Sequence, residues 1–250
     1  MRRILLAAIC AVATPLVLAA SAQATSSVSN SPRLLAGGAI SATGWTSSNW
    51  SGYAITGGPF TRVTGSWVVP AVAKTKRATY SSSWAGIDGF NNSDLIQAGT
   101  EQDYYSGSAH YFAWWEILPA AETRISLSVN AGDHVSVSIA RGSGGTWTIT
   151  LTDARSGSFT TTKSYAGPGA SAEWIQEAPT VGGRLATLAK YGSATFDPGT
   201  ANGTSPGLVS NDGGVMIQKG LHVSTPSVPD SDVDGFNVKY GSTAPAPPSS

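Results

Sequence analysis

Over residues 49–240 the chain sets short apolar runs between polar clusters, with a period nearer two than 3.6. Residues 51–55 read as a strand and end in Thr56-Gly57-Gly58-Pro59, a turn signal. Residues 60–70 put Val63, Gly65, Trp67 and Val69 on one face. Strands are expected at 80–89 and 95–102, joined by Phe90-Asn91-Asn92-Ser93. Residues 110–118 align His110, Phe112, Trp114, Glu116 and Leu118 on one side. Residues 125–129 and 134–140 read as one hairpin, and 147–153 with 158–165 as another. Residues 185–190 fit a strand or a helical turn, and 192–196, 215–218 and 236–240 complete the set. There is no long amphipathic helix and no internal repeat. The pattern predicts an all-β fold, an antiparallel β-sandwich.

The ends of the chain follow other rules. Met1-Arg2-Arg3, the apolar run 4–20 and the small-x-small triplet Ala22-Gln23-Ala24 form a secretory signal peptide, residues 1–24. Pro15 and the small-residue exit argue against a membrane anchor. Residues 25–45, rich in Ser, Ala and Gly, are expected to be a short pro-segment or a disordered arm. The folded domain is then 46–240, and the Pro-rich tail 241–250 is expected to be disordered.

Composition narrows the function. The one cysteine, Cys10, lies in the leader. The exported chain therefore has neither disulfides nor thiolate metal sites, and its stability rests on its core. Fifteen basic and fifteen acidic residues balance in the whole chain. Loss of Arg2 and Arg3 leaves 13 basic against 15 acidic residues, no footprint for nucleic acid. Charged residues make up only 12%, with Gly, Ser and Thr in their place, as suits an extracellular β protein. After signal removal no membrane association is expected, and the protein is expected to be a monomer.

Candidate chemistry lies in acids and amides set in apolar runs. The three histidines accompany no Gly-x-Ser-x-Gly elbow and no His-Glu-x-x-His. Asp88, Glu101, Glu116, Glu173 and Glu177 all interrupt apolar stretches. Glu173 and Glu177, four apart, share a face in a strand as in a helix. Gln97 stands where a buried strand should carry a hydrophobe, so its amide needs a partner. These residues suggest that Gln97 meets one of the two glutamates across a cleft. Trp50, Trp84 and Trp114 fit a core as well as they fit a cleft.

Five segments in order carry a resemblance: Ser48-Asn49-Trp50-Ser51-Gly52, Trp84-Ala85-Gly86-Ile87-Asp88-Gly89, Leu95-Ile96-Gln97-Ala98-Gly99, residues 113–119 and Ala172-Glu173-Trp174-Ile175-Gln176-Glu177. Together they resemble the glutamic peptidases, or eqolisins, which are secreted acid endopeptidases. The resemblance implies a sandwich of two curved, packed antiparallel sheets with the active site on the concave face. It implies Gln97 and Glu177 as catalytic residues, with Glu173 in support. It implies substrate contacts at Trp50, Trp84, Asp88, Trp114 and Glu116, and no metal or cofactor. This chain departs from the fungal members in lacking disulfides, in its near-neutral charge and in a shorter pro-segment.

The implied reaction is hydrolysis of peptide bonds in unfolded proteins, at acidic pH. Glu177 takes a proton from water, and Gln97 donates to the oxyanion. Two other readings use the same residues. A secreted glycoside hydrolase would pair two carboxylates and use the tryptophans as sugar platforms. A non-catalytic extracellular binding module would use the aromatic cleft alone.

Overall fold

A computed structural model describes residues 27–36 and 44–250. The expected leader, 1–24, lies outside the described residues. The strands in chain order are β1 (Val28–Ser29), β2 (Trp45–Ser47), β3 (Trp50–Thr56), β4 (Arg62–Val68), β5 (Ser82–Ile87), β6 (Ile96–Tyr105), β7 (Ser108–Ile117), β8 (Thr123–Arg124) and β9 (His134–Arg141). There follow β10 (Thr146–Asp153), β11 (Gly157–Ser164), β12 (Ser171–Glu177), β13 (Thr180–Val181), β14 (Arg184–Leu185), β15 (Ser193–Ala201), β16 (Gly213–Gln218), β17 (Leu221–Pro226) and β18 (Phe236–Tyr240).

One ladder runs β11-β10-β9-β4-β15-β18-β17-β16-β3-β12-β5-β6-β7-β8, antiparallel at every step, with β2 added parallel to β16. It folds over on itself. The limb containing β4, β9 and β10 packs on the limb containing β5, β6 and β12, which makes the expected β-sandwich. The core between the limbs joins Val63 and Trp67 of β4, Val137 of β9 and Ile149 of β10 to Ala85, Ile96 and Trp174. The period-two alternation of β4 is as expected: Val63, Gly65 and Trp67 are buried and their neighbours are not.

Trp174 ties the limbs together. Its indole nitrogen donates to the Thr64 carbonyl at 2.7 Å. Its ring lies where a side chain at Gly65 or Gly199 would stand, 2.7 and 2.8 Å from the positions a Cβ would take. Both glycines are therefore contact points, not flexible joints.

Two expectations fail. Residues 125–129 do not pair with β9, because β4 and β10 already occupy both its edges. Ile125 and Val129 are buried as irregular chain instead. The tail 241–250 has no regular structure, as expected, but it is not detached. Asn237 donates to the Ala246 carbonyl at 2.9 Å, and the Ser231 hydroxyl meets that of Ser250 at 2.6 Å. The strands β2 and β17 were not expected at all.

The other face of β5, β6 and β7 carries a tight aromatic packing that Gly99 permits. A Cβ there would fall 2.3 Å from the Ser83 carbonyl oxygen and 2.5 Å from Cβ of Trp84. Backbone cannot yield cheaply at such a contact, so Gly99→Ala is expected to destabilise the fold by about 1–3 kcal/mol. Urea unfolding of the purified chain measures this, and an unchanged midpoint would contradict the packing described.

Candidate active site

Five adjacent strands, β3, β12, β5, β6 and β7, build the site. Their alternation sends one set of side chains into the core between the limbs and the other set to the opposite face. On that second face the register lines residues up across the sheet. Glu177 lies opposite Trp50 and Ser82, and Ser82 lies opposite Glu101. The next row places Ile175 beside Trp84, then Gly99, then Trp114. A third places Glu173 beside Gly86, then Gln97, then Glu116. Four residues of spacing in β12 thus put Glu173 and Glu177 on one face but two rows apart.

Glu177 is fully buried and held by neutral donors. The Trp84 indole N–H donates to Oε2 at 2.9 Å and that of Trp50 at 3.1 Å. The Asn49 amide donates to Oε1 at 3.2 Å. The two indoles pack edge to face, 4.9 Å between centroids. Among the described residues no cation pairs with Glu177. Burial therefore raises its pKa well above the usual carboxylate range, the nearby Glu116 charge adds to that, and the donors only oppose it.

Gln97 finds its partner in Glu116, not in Glu173 or Glu177. The two lie directly opposite in β6 and β7, and the Gln97 amide nitrogen donates to Oε2 of Glu116 at 2.8 Å. The Gln97 amide oxygen is buried without a partner. Burial pushes the Glu116 carboxyl up to about 7, against the hydrogen bonds from Ser29, Asn30 and Gln97.

Residues 29–31 cross this face and touch both acids. The Ser29 hydroxyl donates to Glu116 Oε1 at 2.7 Å, and the Asn30 N–H donates to Oε2 at 3.1 Å. The Ser31 N–H donates to Glu177 Oε1 at 3.0 Å, while its carbonyl accepts from the Trp50 indole at 3.0 Å. β1 anchors this stretch as a strand beside β13. Arg33 closes the other end, donating to the Phe90 carbonyl and lying 4.0 Å over the Phe90 ring. A peptide backbone already lies across the two carboxylates.

The remaining expected residues divide. Trp114 is fully buried in the aromatic cluster with Trp50 and Trp84, and its indole nitrogen has no partner. Glu173 is buried with neither oxygen hydrogen-bonded, and burial, then the Asp88 charge, raises its pKa strongly. Asp88 departs from the expected cleft position. It ends β5 at φ 74° and accepts from Tyr165 Oη at 2.7 Å, Gly169 N at 2.9 Å, Ala170 N at 2.8 Å and Asn92 Nδ2 at 3.0 Å. Both its oxygens clamp loops, so none is left facing a substrate.

Sequence reasoning missed Asn49 as a carboxylate donor, although it adjoins Trp50 in the Ser48-Asn49-Trp50 segment. It also missed the grouping of Glu101 and Asp103 with Glu122. Tyr80, Asp103, Tyr105 and Glu122 line a cavity of about 490 Å³ beside Ser27 and Val28, which extends the path taken by residues 29–31. Burial raises Glu101 well above its ordinary value, Asp103 to about 7 and Glu122 to about 8.

These buried acids fix the sign of the pH dependence. Glu101, Asp103, Glu116, Glu122, Glu173 and Glu177 all have folded pKa values above their unfolded ones, so the folded chain holds extra protons from about pH 4 upward. Stability is fully present below the unfolded values and is lost as pH rises through about 7 to 8. The melting temperature is expected to be higher near about pH 4.5 than near about pH 8. A scan in which it rises across that interval would show that these acids are ionised in the fold.

The peptidase A4 family matches residues 48–239. The chain is 30% identical over 196 residues to aspergillopepsin-2 of Aspergillus niger, covering 68% of this chain and 70% of that protein. A scytalido-glutamic peptidase with a transition state analog inhibitor superposes with a TM-score of 0.65 at 23% identity, over 77% of this chain and 98% of its own. The aspergilloglutamic peptidase of A. niger superposes at 0.53 with 28% identity, over 65% and 99%. The glycoside hydrolase and binding-module readings fall with this match. The chain belongs to the peptidase A4 family, the glutamic peptidases or eqolisins, and is a glutamic endopeptidase.

Proposed function

We propose that this chain is a secreted, metal-independent endopeptidase that cleaves unfolded protein substrates at acidic pH through Gln97 and Glu177, and that residues 25–45 are its pro-segment. The observation that carries the reading is the seat of residues 29–31, a stretch of peptide bonded to Glu116 and Glu177 at once. A substrate strand entering along the same line meets the same donors and acceptors. The monomeric, membrane-free state and export by residues 1–24 complete the proposal.

The reaction needs a water, a base and an oxyanion donor. Once Ser31 withdraws, Glu177 Oε1 is open to a water while Trp50, Trp84 and Asn49 still hold the carboxylate. Ionised Glu177 takes one proton from that water as its oxygen attacks the peptide carbonyl carbon. The amide N–H of Gln97 donates to the oxyanion that forms. Glu116 orients Gln97 by accepting from the same amide nitrogen, and its high pKa lets it do so with little added charge. Glu177 then gives the proton to the leaving nitrogen as the C–N bond breaks, which yields a carboxylic acid and an amine and restores the base. Glu177 must be ionised to take this proton, and the indole N–H donors favour the ionised form against the burial that raises its pKa while Ser31 covers it.

Glu177→Gln is expected to bring turnover of unfolded casein to background while circular dichroism keeps the β signature. Gln97→Ala should lose ~10²–10³-fold in rate, the usual loss for one oxyanion donor. Glu173→Gln should lose much less, because Gly86 separates it from Gln97 and no hydrogen bond links it to either catalytic residue. Near-normal turnover in folded Glu177→Gln or Gln97→Ala protein would remove the dyad.

The pro-segment makes a separate expectation. Protein that retains residues 25–45 should be inactive on a short peptide substrate until that segment is cut or displaced. Ser31→Pro removes the N–H that donates to Glu177 and should weaken the block without touching the dyad. Equal initial rates with and without residues 25–45 would refute this role.

A further inference from the structure

We infer that the turn after β17 is a calcium site, built by Asp230, Asp234 and Asp197 away from the face that carries Glu177. The sequence Asp230-Ser231-Asp232-Val233-Asp234-Gly235 repeats the spacing D-x-D-x-D-G found at the start of calcium-binding loops. Here the loop joins two strands, β17 and β18, not two helices, and the position that bears the closing glutamate of an EF-hand falls on Gly241. The missing carboxylate comes from elsewhere. β15 breaks its register against β4 between Phe196 and Gly199, and that irregularity carries Asp197. One carboxylate oxygen from each of Asp197, Asp230 and Asp234 lies within 4.8 Å of the other two.

The distances and the donor type select the ion. Calcium binds oxygens at about 2.3–2.6 Å, so oxygens on one ion stand no more than about 5 Å apart. The set holds carboxylates alone, without His or Cys, which suits a hard cation and not zinc.

The second observation is an acid with no use inside the fold. Asp230 is only 6% exposed. Its Oδ1 accepts from the N–H groups of Asp234 and Gly235, both at 3.2 Å, but its buried Oδ2 has no partner. A Cβ at Gly235 would stand 2.4 Å from that oxygen and 2.9 Å from Cβ and Cγ of Asp197. Oδ2 therefore points across the bare glycine toward Asp197. Asp234 Oδ1 is likewise buried and unpaired. Among the described residues no cation pairs with any of the four aspartates of this region, Asp197, Asp230, Asp232 and Asp234. A divalent ion would satisfy both unpaired oxygens and offset the crowding, and Asp232, exposed on the rim, adds negative charge.

The test uses the purified full chain in buffer at near-neutral pH. Terbium luminescence and displacement by calcium read binding directly, and calorimetry with calcium chloride gives the constant. A dissociation constant on the order of 10⁻⁴–10⁻³ M is expected, the range of extracellular modules. Calcium in excess should raise the melting temperature relative to EDTA, more as its concentration grows. Asp197→Asn, which leaves the 230–235 loop intact, should weaken binding at least ~10-fold. Asp234→Asn should do the same. Catalytic rates at room temperature should be equal in calcium and in EDTA, since Asp197, Asp230 and Asp234 make no hydrogen bond to Glu177 or to the groups that hold it. No bound terbium and no calcium-dependent melting shift in the unsubstituted chain would overturn the inference. So would an equal shift from magnesium, or one that persists in Asp197→Asn.

Discussion

A buried carboxylate with no countercharge is the constraint on which this fold turns. Glu177 is held by two indoles and one amide, all neutral. A lysine or arginine in their place would fix the anion and depress its pKa. Neutral donors position the carboxylate and leave the cost of its charge uncompensated. They also explain why Trp50 and Trp84 are fully buried on the face of a sheet that would otherwise look outward. Each must reach Oε2 and pack against the other at once. Gly99 then follows, since a Cβ there would run into Trp84.

That arrangement shows why the sequence revealed the fold and only part of the site. Alternation exposed β4 and β10, because each buries one face and a period of two is hard to imitate. The spacing of Glu173 and Glu177 put those two acids on one face, but Gln97 meets neither of them. Which partner Gln97 takes is a matter of register between β6 and β7, and register is invisible in a single strand. The pairing with Glu116 therefore had to come from the structure. Asp88 was misplaced for a related reason. An acid at the end of a strand looks the same whether it faces a cleft or caps a loop, and only the N–H groups of Gly169 and Ala170, some eighty residues away in the chain, decide it. Residues 125–129 failed because a good strand sequence cannot pair when both edges of its intended partner are taken.

The stretch 29–31 was the least legible element, since its polar, small residues carry no periodicity. Its order is borrowed: Glu116, Glu177, Asn49 and Trp50 supply the partners that a free Ser/Asn segment lacks. Such a segment costs about 1–2 kcal/mol per residue to fix, and a few charge-assisted hydrogen bonds can meet that cost only while the carboxylates are charged or strongly polar.

The same contacts explain how a peptide can lie in this cleft without being cut. Cleavage needs a carbonyl presented to the Gln97 amide. Residues 29–31 present donors instead: a hydroxyl and an N–H to Glu116, and an N–H to Glu177. The Ser31 carbonyl turns away to Trp50. Both acids are capped by N–H groups, and Gln97 keeps its bond to Glu116. The seat is also imperfect, for both polar atoms of the Asn30 side chain are buried without partners, each at a cost of about 1–3 kcal/mol. A segment that binds through its backbone but leaves a buried amide unpaired covers both carboxylates at less than full strength, which suits the pro-segment role proposed for it.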